Sequence, residues 1–240
     1  MLVHGLTATP EEMRPLAERL AAAGFPVRLV RLAGHATTPH DLARTRWTDW
    51  LASAADGLQA QRRVTPRVAL VGFSMGGLLA LQLAAERPRE VEALVLCAAA
   101  LELRTPGVRL LPWLCRLPGI RERIPLLPKG GRDLADRTAR RTSQAYDRVP
   151  VGALLDLLEL QRRVGALLPR VRQPALLLHG RLDRTVPLGC HDRLRRGLAS
   201  AWLESHILER SAHVLPEDHD RDEVGRLAAD FLERVERAGA

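Results

Sequence analysis

Cysteine is scarce in this 240-residue chain. The three present, Cys97, Cys115 and Cys190, are scattered, odd in number and without C-x-x-C spacing, which argues against a disulfide framework and a structural zinc site. Aromatic residues make up only 3%, so stacking platforms for bases are few. That counts against a nucleic-acid partner, although a formal net charge of +8 invites one. No apolar run is long enough to cross a bilayer, and no basic segment followed by an apolar stretch opens the chain. The expectation is a soluble cytoplasmic protein with no stable membrane insertion. H-E-x-x-H, phosphate-loop and dinucleotide signatures are absent as well, so neither a metal nor another cofactor is implied.

What is present is an alternation of strand and helix. Leu2-Val3-His4 starts a strand. Thr9-Pro10-Glu11-Glu12 reads as a helix start, with Thr9 as N-cap and Glu12 reaching back to it. Met13, Leu16, Ala17 and Leu20 recur at helical spacing, and Gly24 stops that helix. Val27–Val30 makes the next strand, and Trp47, Trp50, Leu51, Ala54 and Leu58 mark a second helix. Strands follow at Val68–Val71, Val91–Cys97, Ala175–His179 and Trp202–Leu208, with helices at Leu78–Ala85, around Leu194, and over Val224–Val235. Such alternation predicts a mostly parallel sheet with helices on both faces.

Between Cys97 and Pro174 the alternation breaks, far beyond the dozen or so residues that a crossover requires. The stretch is rich in Leu, Arg and Pro. Residues 101–148 hold eleven Arg/Lys against five Asp/Glu, so most of the net charge sits in this one segment.

The most informative motif is Gly72-Phe73-Ser74-Met75-Gly76, directly after an apolar strand and directly before Gly77-Leu78-Leu79-Ala80. A serine hydroxyl is a poor nucleophile unless the backbone aims it at a base and points amide N–H groups at the charge it creates. Glycines two residues either side of Ser74 allow a tight turn and close backbone approach. Asp183 lies just past the strand Ala175–His179, and His213, in Ser211-Ala212-His213-Val214, just past Trp202–Leu208. Both then fall on the carboxyl edge of the sheet, where the serine turn opens and where open α/β sheets bind ligands. Asp183 has an alternative reading as a turn-capping Asp. Of the other late histidines, His206 falls within a strand, His191 in a helical region, and His219 in the run leading to the last helix. His213 is the preferred candidate.

These pieces, with Leu2-Val3-His4-Gly5-Leu6-Thr7, Gly34-His35 and Trp47-Thr48-Asp49-Trp50, give a chain that resembles the α/β-hydrolase superfamily, and within it the bacterial carboxylesterase and monoacylglycerol-lipase group. The resemblance implies Ser74 as nucleophile, His213 as general base then acid, and Asp183 as the group that orients His213. It implies oxyanion donors in the backbone N–H groups of Leu6 and Met75, with His4, Gly5, Gly72 and Gly76 shaping the supporting loops. His4 reads equally well as a hydrogen-bonded structural histidine. The family carries an insertion that lids the nucleophile; here it would be residues 101–169, between a core of 1–100 and 170–240. Members usually have one or two strands before the oxyanion loop, whereas only three residues precede His4. The expectation is a trimmed or downstream start, with Val27–Val30 as a sheet edge. The implied reaction is hydrolysis of a small ester or lipid substrate. A thioesterase, lactonase, acyltransferase or carbon–carbon hydrolase would use the same three residues, and a non-catalytic binding module is the third possibility.

Overall fold

The computed structural model describes residues 1–105, 107–116, 125–142 and 144–239. Eight strands occur among them: β1 (Leu2–Val3), β2 (Leu29–Val30), β3 (Ala69–Phe73), β4 (Ala93–Cys97), β5 (Leu126–Pro128), β6 (Arg148–Pro150), β7 (Ala175–Gly180) and β8 (Leu203–Leu208). Six of them form one sheet in the order β2-β1-β3-β4-β7-β8, with every neighbouring pair parallel. The remaining two, β5 and β6, make a small antiparallel pair. This is the expected mostly parallel sheet flanked by helices, the α/β-hydrolase architecture.

The inner strands are apolar throughout because both faces of the sheet are covered. Successive residues divide between two cores, as the strand period of two requires. Leu70, Leu94, Leu96 and Leu177 face a core shared with Trp50, Leu58, Leu78 and Leu160. Their neighbours Val71, Val95, Leu176 and Leu178 face a core shared with Met13, Leu16, Val224 and Phe231. The second core is closed by the helices Arg14–Ala22 and Arg221–Ala238, which pack on each other. Phe231 is fully buried and meets Trp202 edge-on at 5.8 Å.

Three local expectations change. Pro10–Met13 form a 3-10 turn before the helix Arg14–Ala22, and the Thr9 side chain makes no capping bond. Glu12 does not reach back to Thr9. It is buried, and its carboxylate accepts from the Gly5 N–H at 3.1 Å and from Arg132 at 2.9 Å. The strand expected at Val27–Val30 shortens to Leu29–Val30, because its neighbour β1 offers only two residues for pairing; it does lie at the sheet edge. The helix Pro39–Ala43 was not anticipated; Thr38 caps it by accepting from the Asp41 N–H at 3.2 Å.

The long segment after β4 contains the helices Leu111–Leu114, Arg137–Thr142 and Val151–Leu167. The last of these buries Ala153, Leu157, Leu160 and Val164 in the first core and packs on the helix Met75–Glu86. Gln161 donates to the Ala100 carbonyl at 2.7 Å, and buried Asp156 pairs with Arg46 at 3.0 Å. Within the span expected to form a lid, the apolar residues Leu117, Ile120 and Ile124 lie outside the described residues.

Replacing Phe231 by Ala should lower the unfolding free energy by about 3–5 kcal/mol through the cavity it leaves. Urea denaturation would register this as a lower midpoint at unchanged slope.

Candidate active site

The site begins with a backbone conformation. Between the end of β3 and the helix Met75–Glu86, Ser74 adopts φ 53° and ψ −116°, a region that costs a non-glycine residue on the order of 1–3 kcal/mol. Its backbone is gripped from both sides. The Ser74 N–H donates to the Cys97 carbonyl at 2.9 Å, and the Ser74 carbonyl accepts from Gly77 at 3.1 Å and Ala100 at 3.2 Å. The glycines around it are required by proximity. A Cβ on Gly72 would meet the backbone of Gly76 and Gly77, and one on Gly76 would collide with the carbonyls of Val3 and His4. The start of this helix is thus pressed against the loop that follows β1.

Asp183 and His213 arrive on loops after β7 and β8. Those loops are brought together at Gly180, where any Cβ would strike the carbonyls of Ser211 and Ala212. Leu182 N–H donates to the Ser211 carbonyl at 3.0 Å. His213 then bridges the other two residues: Nδ1 lies 2.8 Å from Asp183 Oδ2, and Nε2 lies 3.0 Å from Ser74 Oγ. An ionised carboxylate only accepts, so Nδ1 carries the proton and Nε2 is left to accept from the serine hydroxyl. All three side chains are buried, in a setting where such bonds are strengthened by low polarity.

Asp183 is the most heavily bonded of the three. Its Oδ1 accepts from the N–H groups of Thr185 and Val186, both at 2.8 Å. Burial by itself would raise its pKa. The His213 charge, hydrogen bonds from His179 and His213, and the Val186 amide outweigh burial and hold the carboxyl well below the usual range. His179 was not anticipated as a site residue. Its Nε2 lies 3.3 Å from Asp183 Oδ2 and 3.3 Å from the Val186 carbonyl. Its place next to the last residue of β7 gave no signal for it.

The loop after β1 carries Leu6 between two anchored neighbours. Gly5 N–H is taken by Glu12 at 3.1 Å. Thr7, at φ 65°, accepts at its carbonyl from Tyr146 N–H at 2.9 Å and at its hydroxyl from Lys129 at 2.7 Å. Leu6 N–H makes no hydrogen bond among the described residues. Met75, as the first residue of its helix, has an N–H outside the intrahelical ladder and at the positive end of the helix dipole. These are the two amides expected to receive an oxyanion.

His4 has both ring nitrogens engaged, Nδ1 with the Gly5 carbonyl at 2.8 Å and Nε2 with Leu32 N–H at 3.3 Å. It is a buried structural group that shapes the loop. Its ring lies 5.0 Å from that of His35, which in turn meets Trp50 at 5.8 Å. Among the described residues Ser74 has no hydrogen bond with His191, His206 or His219; His191 packs on His179 at 6.0 Å, and exposed His219 lies 4.0 Å from Asp136. Among the described residues no group of three or more His, Cys, Asp or Glu is placed to hold a metal, and no helix is long and apolar enough to cross a membrane.

Comparison with known proteins adds the following. A family model described as "Serine aminopeptidase, S33" matches residues 1–220. The thermostable monoacylglycerol lipase of Bacillus sp. (strain H-257) is 34% identical over 232 residues, covering 97% of this chain and 89% of that protein. A pimeloyl-[acyl-carrier protein] methyl ester esterase of Neisseria meningitidis is 31% identical over 255 residues, covering 97% and 92%. Among solved structures, one from a study of LipS and LipT, two metagenome-derived lipolytic enzymes, superimposes with a TM-score of 0.89. It is 30% identical and covers 97% of this chain and 92% of that one.

The paired histidines give a pH signature. Burial lowers His4 from the ordinary 6.5 to about 4, and burial with the His4 charge lowers His35 to about 3. Below the ordinary value the unfolded chain binds protons that the folded chain refuses, so stability falls as pH drops through that window. In His35→Phe, one such proton is gone. The plot of unfolding free energy against pH, from urea titrations between about pH 6 and pH 4, should become shallower by about 1.4 kcal/mol per unit.

Proposed function

The chain belongs to the serine aminopeptidase S33 family of α/β hydrolases, and on that premise we propose that it hydrolyses carboxylic esters of short to medium acyl chain, monoacylglycerols among them, through an acyl-serine intermediate. The observation that carries this reading is the unbroken hydrogen-bonded run from Asp183 through His213 to Ser74, at 2.8 and 3.0 Å. The lipase and esterase activities of the relatives point the same way.

In this reading, Ser74 Oγ attacks the ester carbonyl carbon as its proton passes to His213 Nε2. The imidazolium that forms faces an Asp183 carboxylate which its hydrogen bonds keep ionised. Negative charge on the former carbonyl oxygen is met by the N–H groups of Leu6 and Met75; one such donor is typically worth about 3–4 kcal/mol of transition-state stabilisation. His213 then protonates the departing alcohol oxygen, leaving an acyl-Ser74 ester. Water enters, gives a proton to Nε2 and attacks the acyl carbon, and collapse returns Ser74 and releases the carboxylic acid. No step needs a cofactor. The protein would act as a soluble cytoplasmic enzyme without a nucleic-acid partner.

The lid role of residues 101–169 belongs to the same proposal. Leu110, Trp113 and Leu114 are exposed, with Arg116 stacked 4.6 Å over the Trp113 ring. A cleft between this stretch and the helix Val151–Leu167 is lined by Pro112, Cys115, Leu155 and Leu158 together with the charged Arg116, Glu159 and Arg162.

The test is a series of p-nitrophenyl esters from acetate to decanoate, together with monoacylglycerols of matching length. Wild-type protein should turn them over with burst kinetics and become labelled by a fluorophosphonate. Ser74→Ala should lose labelling and about a million-fold in kcat; full turnover in that variant would remove Ser74 from the chemistry.

A further inference from the structure

Asp183 and His213 sit on separate loops, and one residue from the inserted segment holds both. Asp133 lies in a strap that runs from β5 to the helix Arg137–Thr142. Its carboxylate Oδ2 accepts from Arg184 N–H at 2.7 Å and from the Thr185 hydroxyl at 3.0 Å. Its main-chain carbonyl accepts from His213 N–H at 3.1 Å and Val214 N–H at 3.2 Å. Four hydrogen bonds from a single residue therefore tie the acid loop to the histidine loop.

The strap is itself fixed on either side of Asp133. Upstream, Arg132 reaches Glu12 at 2.9 Å and Glu217 at 3.2 Å. Downstream, Leu134 is buried in the core with Val214 and Leu215. The fully buried Asp218 carboxylate takes the N–H groups of Ala135 at 2.9 Å and Asp136 at 2.8 Å, and also that of Ala212 at 2.8 Å. Asp133 thus rides on a rigid support.

The consequence lies at Asp183. The Thr185 and Val186 amides fix which way the Asp183 carboxylate faces, by holding Oδ1 and leaving Oδ2 for His213. Thr185 is the residue whose hydroxyl Asp133 holds. Taking away a charged acceptor frees Arg184 and Thr185 to move, and the amide that sets the carboxylate moves with them.

We propose that Asp133, contributed by the inserted segment, is a positioning residue for the ester hydrolysis described above, holding the Asp183 and His213 loops in the relation in which their side chains pair. The inference rests on that functional reading for its kinetic arm alone. On this view the insertion builds the site as well as covering it, and removing it would disassemble the acid–base pair.

The experiment compares Asp133→Ala with Asp133→Asn, whose amide oxygen can still accept from Arg184 and Thr185. Two quantities are read: steady-state kinetics on p-nitrophenyl butyrate, and the downfield proton resonance of His213 Nδ1–H, recorded without substrate. Asp133→Ala should lose about 100-fold in kcat, the order expected of a small misplacement, with KM within about twofold of wild type. Its resonance should broaden or vanish. Asp133→Asn should restore both. A folded Asp133→Ala protein with wild-type kcat and an unchanged resonance would overturn the proposal. If Asp133→Ala does not fold, Thr185→Val removes just one donor to the carboxylate and carries the same test: a broadened resonance and lower kcat at constant KM support the brace, and no change in either overturns it. A wild-type protein that cleaves no ester but whose resonance depends on Asp133 would sink the functional reading and leave the brace standing.

Discussion

The structure turns on the conformation of Ser74. Left to local preference, a serine between an apolar strand and an apolar helix would not settle at φ 53°, ψ −116°. It is held there because its N–H is claimed by the last residue of β4, and its carbonyl by Ala100 just beyond β4 and by Gly77 in its own helix. Its glycine neighbours meanwhile let helix and strand approach to distances that exclude a Cβ. The same closeness presses the helix start against the carbonyls of Val3 and His4. One strained residue therefore brings together a serine hydroxyl, a helix N-terminus and the loop that carries Leu6. Strain of this kind persists only where the surroundings over-determine it.

Around that point the site is assembled from the carboxyl ends of neighbouring strands. Parallel order makes this possible, because β3, β7 and β8 all finish on the same edge. Shared direction brings three loops to one rim, but it leaves each free to wander by more than a hydrogen bond. Gly180 removes part of that freedom by letting the histidine loop sit directly on the end of β7. The strap around Asp133, and the Asp218 carboxylate beneath it, remove more. A buried polar network of this sort is worth keeping only if its members are satisfied, and the bonds made by Asp183 and Asp218 meet that condition.

The long segment between β4 and β7 has a double character for the same reason. Its outer part, with exposed Leu110, Trp113 and Leu114, offers apolar surface. Its inner part reaches the loop after β1 through Lys129 and Tyr146, the Asp183 and His213 loops through Asp133, and the main core through the helix Val151–Leu167. A lid that simply opened on a hinge at residues 101 and 169 would have to break all of these contacts.

Much of this was readable in one dimension. Strand and helix alternation follows from apolar periodicity, a local property, and it located the inner strands to within a residue or two. The serine turn was readable because its glycines are neighbours in the chain. Asp183 and His213 could be singled out because both stand just past strands whose direction the fold type dictates. Glu12 shows the limit. Its spacing from Thr9 suited a cap, yet the half-buried Arg132, 120 residues away, takes the carboxylate instead. Local spacing carries no record of such a partner. For Asp133, His179 and Lys129 there was no local signal at all, since an acid, a strand histidine and a loop lysine are each unremarkable until their neighbours are known. Composition and periodicity alone determined the layered sheet, the strained turn and the kinds of side chain at its rim. Tertiary packing decided which histidine nitrogen faces which oxygen, and what holds the loops still, because those are set by contacts between residues 30 to 139 apart in the chain, and folding alone brings such residues within reach.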